Sequence, residues 1–239
     1  MTAAPVSVIR RGRERARFAP WRGDRATALL TAAPEAPLLS VEFVRHCLET
    51  LAGQGFHRVR TAALSPLEQS GFLAAGFGVD EELCLLAVDL NSGLEPLGEG
   101  VRLAPARRWR RSEVLKVDAA AFDEYWRFDR LALEDALLAT PEVRFRVAAP
   151  PLGRVQGYAV SGRAGRRGYV QRLAVHPGAQ GHGTGRRLLL DGLWWMAASG
   201  VTRAYVNTQS SNGNALRLYR SVGFADEEIG LSVLSADLG

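Results

Sequence analysis

Two segments in the last third of the chain carry residue types that suit phosphate binding and proton transfer. The first runs from Gln180 through Gly181, Gly183 and Gly185. Glycines leave backbone N–H groups open to an anion because they have no side chain. The second segment ends in Tyr219, whose hydroxyl is of a type that acts as a general acid. Together they favour a site for a substrate that carries a diphosphate and a thioester.

The glycine segment lies between a predicted strand and a predicted helix. Residues 169–175 are rich in branched and aromatic side chains, and Pro177 follows them, which predicts a strand that ends there. An apolar helical pattern begins near Gly183, and Gly200 is expected to end that helix as a left-handed cap. The first turn of a helix has unpaired N–H groups and the positive end of the helix dipole. This order predicts an anion site at the start of the helix.

Two common nucleotide motifs do not fit the glycine segment. The dinucleotide fingerprint needs a glycine where the chain has Arg186, and the next predicted strand, residues 203–208, has no acid for a ribose. A P-loop ends in Gly-Lys-Ser or Gly-Lys-Thr, and the segment has no lysine. What remains is a Gln-x-x-Gly-x-Gly turn between a strand and a helix.

This turn, together with a second pattern, resembles the GNAT superfamily of N-acetyltransferases. The turn follows the triplet Leu173-Ala174-Val175, and Asn212-x-x-Ala215-x-x-Leu218-Tyr219 precedes Gly223-Phe224. The resemblance covers about residues 101–239 and is strongest over 168–224. It implies an α+β fold, a mixed-sheet α/β sandwich of the acyl-CoA N-acyltransferase (GNAT) type, with acetyl-CoA as acyl donor.

The resemblance also implies a role for each matching residue. Backbone groups of the triplet would pair with the pantetheine arm, and an N–H near Leu173 would polarise the thioester carbonyl. Tyr219 would protonate the departing thiolate during direct transfer to a primary amine of a small molecule or peptide. No metal is implied. Cofactor binding falls on Leu173, Ala174, Val175, Gln180, Gly181, His182, Gly183, Thr184, Gly185, Arg186 and Asn212.

The acceptor and the general base stay open. Members of the superfamily that acetylate protein N-termini have a glutamate where this chain has Asn207, and asparagine cannot act as a base. Helices are predicted over residues 112–127 and 131–139, and in this superfamily the segment between them often lines the acceptor pocket. Candidate contact residues there are Trp126, Phe128, Asp129 and Glu134.

The front half of the sequence resembles a degenerate copy of the back half. Residues 40–90 align with 185–238, so that Gly55 falls on Gly200 and Gly76 on Gly223. The positions of Tyr219 and Asn212 are then occupied by Phe72 and Ser65. These observations predict two tandem GNAT-like domains: a degenerate one over residues 1–92, a linker over 93–100 and a catalytic one over 101–239. An unrelated α/β cap is the alternative for the front half.

Composition sets wider limits on function. The chain has 239 residues and a net charge of +5, and Cys47 and Cys84 are its two cysteines. Without metal-like spacing, buried thiols in a reducing cytoplasm are expected. No apolar run predicts a membrane span, the start lacks a signal-peptide layout, and a single lysine, Lys116, suits a GC-rich bacterial genome.

Two other function classes remain open. A non-catalytic acyl-CoA-binding module would share the glycine turn. Nucleic-acid binding is not expected, since no recognised motif accompanies the basic clusters, although it remains an alternative. These clusters are Arg10, Arg11, Arg13, Arg15 and Arg17, and Arg107, Arg108, Arg110 and Arg111. The acyl chain length and the oligomeric state are not set by the sequence.

Overall fold

The computed structural model describes residues 7–22, 24–33, 38–151 and 153–239. These residues form mixed α and β structure, and no described helix is both long and apolar enough to cross a membrane. In chain order the elements are β1 (Ser7–Arg11), β2 (Glu14–Trp21), β3 (Asp24–Ala32), α1 (Val41–Gly53), β4 (Arg58–Thr61), α2 (Pro66–Ala74), β5 (Gly78–Asp89), β6 (Leu103–Pro105), α3 (Arg111–Ala121), α4 (Arg130–Leu138), β7 (Glu142–Ala148), β8 (Gly157–Ala164), β9 (Arg167–Val175), α5 (Thr184–Ala198), β10 (Arg203–Gln209), α6 (Gly213–Ser221), β11 (Ala225–Asp226) and β12 (Leu231–Asp237).

Contacts divide the chain into two compact units. The first comprises Met1–Leu85, Gln209–Ser211 and Glu227–Gly239, and the second comprises Leu86–Thr208 and Asn212–Asp226. Strand β5 therefore begins in the first unit and ends in the second. The domain division at residues 93–100 follows another criterion, the order of elements along the chain, and it stays a prediction.

The first unit is built on strands in the order β1-β2-β3-β4-β12, with β5 as far as Leu85 beside β12. Strands β3 and β4 are parallel, and the other neighbouring pairs in this order are antiparallel.

The sequence analysis did not predict β1–β3. In the β1–β2 hairpin the buried side chains alternate with exposed arginines, so three of the five arginines in the first basic cluster lie on one solvent face of a hairpin. The alternating residues are Ile9, Ala16 and Phe18 inside, and Arg10, Arg15 and Arg17 outside.

One of the two cysteines lies in the core of this unit. Cys47 is fully buried on α1 beside Phe43 and Leu51. Burial, with a smaller effect from the Glu14 carboxylate, raises the pKa of the Cys47 thiol to about 12. Cys84 is also a free thiol, but it is only half-buried, so the expectation of two buried thiols is wrong for this residue. It lies on β5, close to where that strand leaves the first unit.

We expect Cys47 to resist thiol reagents in the native protein. Only the thiolate reacts, and a pKa of about 12 leaves very little thiolate near neutral pH. Titration with a chromogenic disulfide near pH 8 should therefore detect no more than one thiol before denaturation and two after it. The Cys47→Ala variant is the control. A lower native titre in that variant would contradict the burial of Cys47.

The aligned positions of the two sequence halves share backbone conformations. Gly55 and Gly200 have φ of +86° and +80°, and Gly76 and Gly223 have φ of +102° and +96°. In each half the glycine follows a helix, so it adopts the left-handed conformation that ends one. The order of helix, strand, helix and strand over residues 41–89 recurs over residues 184–237, where the short strand β11 is added.

An aromatic pair is repeated in the same way. Phe72 on α2 packs edge-on against Phe77 with a centroid distance of 5.2 Å, and Tyr219 on α6 packs against Phe224 at 5.8 Å. In both pairs the second residue donates its N–H to the carbonyl of the first, at 3.1 and 3.2 Å. The two halves therefore build the same helix ending, and only the second half retains a hydroxyl on the helical aromatic residue.

The second unit is built on strands in the order β10-β9-β8-β7-β6. Strands β9 and β10 are parallel and the other neighbours are antiparallel. Helices α3 and α4 cover one face through residues such as Val117 and Leu133, and α5 covers the other through Leu188. The bounds of β9, α4, α5 and β10 confirm the predicted elements to within a few residues. Leu152, in the connection between β7 and β8, lies outside the described residues.

Helix α3 is shorter than the pattern predicted. It ends at Ala121, because Phe122 takes an extended conformation with φ −122° and ψ 151°. The Asp123 carboxylate then accepts from the Trp126 N–H at 3.0 Å. The predicted helix over 112–127 is therefore wrong beyond Ala121, and residues 122–129 form a connection that we call the α3–α4 segment.

Candidate active site

Six consecutive backbone N–H groups, from Gly181 to Arg186, have no hydrogen-bond acceptor within the described part of the chain. The first i to i−4 bond of α5 runs from the Arg187 N–H to the Gly183 carbonyl at 3.0 Å. Gly181 and Gly183 have φ of +78° and +76°. Left-handed residues that alternate with others turn successive N–H groups towards one concave side, which is how backbone anion sites form. The loop therefore offers an uncapped row of donors at the positive end of a helix.

Gly185 joins the two sequence motifs in space. A Cβ placed on this residue would lie 3.3 Å from Leu218 Cδ2 on α6 and 3.5 Å from Val175 Cγ2 on β9. These distances are shorter than or close to ordinary contact, so a larger residue would push the elements apart. The end of β9, the start of α5 and the helix that carries Tyr219 therefore meet here.

Side chains in the loop have partners of their own. Gln180 Nε2 donates to the Val175 carbonyl at 3.1 Å, and His182 Nδ1 lies 2.7 Å from the Gln180 carbonyl oxygen. Thr184 is buried. The Arg186 guanidinium donates to the Ser221 carbonyl and hydroxyl, at 3.1 and 3.0 Å, and pairs with the Glu95 carboxylate. The positive charge of Arg186, one of the predicted cofactor-binding residues, is therefore already paired, and what the loop leaves open is its backbone N–H groups.

Strands β9 and β10 pair over only part of their length. Their register covers Arg203↔Arg167, Ala204↔Gly168 and Tyr205↔Tyr169, whereas β9 continues to Val175. Beyond Tyr169 the described chain provides β9 with a strand partner on the β8 side alone. The main chain of Leu173, Ala174 and Val175 can therefore pair with an extended ligand on its other edge.

Tyr219 lies on α6, and Asn212 caps the start of the same helix. Tyr219 is 6% exposed, and its hydroxyl bonds to no described residue. Burial raises the pKa of Tyr219 to about 12, and the nearby Arg172 charge opposes part of that rise. The Asn212 Oδ1 caps α6 by accepting from the Ala215 N–H at 3.1 Å, so its amide N–H₂ group is the part left for a ligand.

A β-bulge in β9 redirects the strand just before the triplet. Val160 of β8 lies opposite Arg172, and the next residue, Ser161, lies opposite Val170, so Gln171 is the extra residue. Before the bulge, a Cβ on Gly168 would point at Met196 of α5. After it, Ala174 packs with the residues under α3. The bulge thereby turns Arg172 towards α3 instead of into the apolar face under α5.

A buried ionic network receives Arg172 on that side. Arg172 Nε and Nη2 donate to the two oxygens of Asp118 on α3, at 2.8 and 2.9 Å. The Tyr158 hydroxyl of β8 donates to Asp118 Oδ2 at 2.5 Å. Burial, with the Asp118 charge, raises the pKa of Tyr158 well above its usual value, so Tyr158 stays a donor.

The sequence analysis missed this network, although the sequence held a signal for it. Asp118 follows Val114 and Val117 at helical spacing and lies on the buried face of α3. An acid on the apolar face of a helix needs a buried partner. The partner could not be identified from the sequence, because the bulge that turns Arg172 towards it leaves no clear pattern.

The four residues predicted to contact the acceptor substrate differ in what they bind within the protein. The Phe128 ring lies 3.9 Å from the Arg172 guanidinium carbon, and the Trp126 carbonyl accepts from Arg172 Nη2 at 2.7 Å. Asp129 caps α4 through the Ala132 N–H at 2.7 Å. Glu134 pairs with Arg111 and Arg130 at 3.5 and 3.3 Å. Asp129 and Glu134 thus have local structural roles, whereas Trp126 and Phe128 connect to β9.

Comparisons with known proteins agree with this architecture. The model of the acetyltransferase (GNAT) family matches residues 108–224. A mycothiol acetyltransferase of Gordonia bronchialis is 30% identical over 227 residues, which cover 87% of this chain and 73% of that protein. The N-alpha-acetyltransferase RimI of Mycobacterium tuberculosis is 41% identical over 98 residues, or 39% of this chain and 58% of that protein. The chain therefore belongs to the GNAT family of acetyltransferases.

A solved structure extends the likeness to nearly the whole chain. A tandem GNAT protein from the clavulanic acid biosynthesis pathway covers 95% of this chain and 79% of its own, with a TM-score of 0.69 and 15% identity. At that identity the match concerns the fold. The chain spans 65%, 58% and 65% of the lengths of three further mycothiol acetyltransferases that it matches.

Proposed function

We propose that this protein transfers an acetyl group from acetyl-CoA to a primary amine. The observation that carries the proposal is the row of six open amides at Gly181–Arg186, beside the unpaired edge of β9. The amides would bind the diphosphate, and residues 173–175 would pair with the pantetheine arm. An anion at the loop and an extended thioester along the strand are the two parts of one acyl-CoA.

The transfer would be direct. The amine nitrogen attacks the thioester carbonyl carbon, the new C–N bond forms, the C–S bond breaks, and the sulfur leaves towards Tyr219. With a pKa of about 12, Tyr219 keeps its proton throughout the working pH range. Complete proton transfer to a thiolate of ordinary pKa, about 8.5, is uphill by about 5 kcal/mol. The main contribution of Tyr219 is therefore a hydrogen bond to the developing negative charge on sulfur.

The acceptor we propose is a small amine or a peptide N-terminus. Relatives named as mycothiol acetyltransferases and as an N-alpha-acetyltransferase define these two classes. Asn207, exposed on β10, is not a base, so the amine would lose its proton to water or to a group not yet assigned.

We propose a reducing cytoplasm as the location of this protein, because its two cysteines are unpaired and its proposed donor is an acyl-CoA.

We also propose that the front half is a degenerate GNAT-like domain without a donor site. Phe72 has no hydroxyl to offer a leaving group, although it repeats the helix position of Tyr219. The Ser65 hydroxyl donates to the Glu68 carboxylate at 2.6 Å within the cap of α2. The predicted linker over residues 93–100 contacts α5, because the Glu95 carbonyl accepts a hydrogen bond from Trp194 Nε1 of that helix at 2.9 Å.

Release of free coenzyme A thiol in the presence of an amine panel tests the proposed reaction. The panel contains amino acids, polyamines, aminoglycosides, peptides and mycothiol without its acetyl group, and calorimetry measures acetyl-CoA binding alongside. We expect binding and amine-dependent thiol release. Binding without turnover for any amine would favour the non-catalytic acyl-CoA module instead. Absence of binding would contradict both.

A further inference from the structure

The Asp118–Arg172 ion pair concentrates its contacts on the α3–α4 segment. Besides Asp118, the Arg172 guanidinium bonds the Trp126 carbonyl at 2.7 Å and lies between two rings, 3.5 Å from the centroid of Phe122 and 3.9 Å from that of Phe128. Asp118 Oδ1 accepts from the Phe128 N–H at 2.6 Å. Both charges therefore hold the connection between the helices.

This arrangement is costly if stability is its only purpose. The Arg172 side chain is 9% exposed and that of Asp118 is 0% exposed, so both charges lose their hydration. Replacement of such a pair by apolar residues of similar size is often neutral or stabilising. A bulge is also needed to turn Arg172 towards Asp118. What the pair provides, and apolar residues cannot, is a set of directed bonds to one backbone segment.

The position of Arg172 in the strand links this segment to the donor site. Arg172 directly precedes Leu173, Ala174 and Val175 on β9, whose open edge is the proposed place of the pantetheine arm. A displacement of about 1 Å between reacting groups is enough to slow a reaction about 10²-fold. The residue that fixes the α3–α4 segment is thus continuous in backbone with the strand that would hold the thioester.

We propose that Arg172, clamped by Asp118 and Tyr158, is a positioning residue that fixes the α3–α4 segment as a wall of the acceptor site in register with the donor strand. This role rests on the proposed acetyl transfer. Arg172 acts on the amine through the segment, and its charge also acts on Tyr219, so its loss changes acceptor use and the reaction step but leaves donor binding in place. It sets KM for the amine far more than the affinity for acetyl-CoA.

The Arg172→Met variant tests the clamp with three measurements. Hydrogen exchange of residues 122–129, in protein without substrate, should quicken at least about tenfold, KM for the amine should rise about 10- to 100-fold, and the calorimetric Kd for acetyl-CoA should stay within about twofold of the parent. Unchanged exchange, an unchanged KM, or a Kd that rises as much as KM would overturn the proposal.

Two further variants separate positioning from stability. Arg144→Met is the matched control, since Arg144 pairs with Asp191 through the same two-bond geometry at 2.7 and 2.9 Å but joins β7 to α5. It should leave exchange in the segment and KM unchanged. The triple variant Asp118→Leu, Tyr158→Phe, Arg172→Met removes the buried charges together. We expect its Tm to recover towards the parent while KM stays raised; recovery of KM as well would make the network merely structural and overturn the proposal.

The experiments distinguish failure of the proposed acetyl transfer from failure of the proposed role of Arg172. A parent protein that binds acetyl-CoA but acetylates no amine overturns the acetyl transfer and, with it, the acceptor role of the segment. In that case the exchange measurement still reports whether Arg172 orders residues 122–129. Turnover in the parent together with unchanged exchange in Arg172→Met overturns the clamp alone.

Discussion

Gly183→Asp should abolish acetyl-CoA binding. Gly183 lies at the centre of the open amides with φ +76°, and apart from its chain neighbours no atom of the described residues lies within 4 Å of where its Cβ would be, so the fold has room for the new side chain. The carboxylate would face the diphosphate, and two charges about 4 Å apart repel by about 4 kcal/mol at an effective dielectric constant of about 20. That corresponds to a loss of about 10³-fold in Kd, measured by calorimetry.

Two controls separate this charge effect from backbone strain. Gly165, in the turn between β8 and β9, has φ +57° and equally open space, so Gly165→Asp adds the same strain and the same charge away from the loop. It should bind acetyl-CoA like the parent. Gly183→Asn keeps the strain without the charge, and asparagine tolerates left-handed backbone. Parent-like calorimetric binding in Gly183→Asp would refute the placement of the diphosphate.

Tyr219→Phe should lower kcat about 10²-fold with acetyl-CoA affinity near that of the parent. The hydroxyl bonds to no described residue and is therefore free to donate to a ligand, while the ring packs on Phe224. Loss of one aligned donor to a developing charge typically costs 10² to 10³ in rate. Because the ring stays, the core keeps its packing and Tm should hardly change. Steady-state thiol release measures the effect.

The pH profile gives an independent check on Tyr219. The donor must be protonated, and burial raises its pKa to about 12, so the neutral form persists below that pH. An exposed tyrosine, with a pKa of about 10, would start to ionise well before. We expect no loss of kcat from Tyr219 up to about pH 10 in the parent. Tyr205→Phe on β10 is the hydroxyl-deletion control, and full activity in Tyr219→Phe would remove Tyr219 from the mechanism.

Local elements of the site were predictable because local chemistry sets them. The β-rich run before Pro177 predicted β9, and the glycines at 183 and 200 marked the limits of α5, which is confirmed as Thr184–Ala198. The matching helix endings of the two halves were predictable for the same reason, since a left-handed helix ending favours glycine at each of them. Strands β1–β3 were not predicted, and their alternation is visible only once the arginines are assigned to the solvent face.

The family could be inferred from the sequence alone, because the glycine turn, Asn212 and Tyr219 have a fixed order and spacing. Where the charges lie was decided only by the tertiary structure. In the folded protein Arg186 pairs with Glu95, so the backbone N–H groups are the open donors of the loop. A bulge in β9 directs Arg172 towards Asp118. The reason is physical: amides at a helix start are local, whereas an ion pair between residues 54 positions apart depends on how distant elements pack.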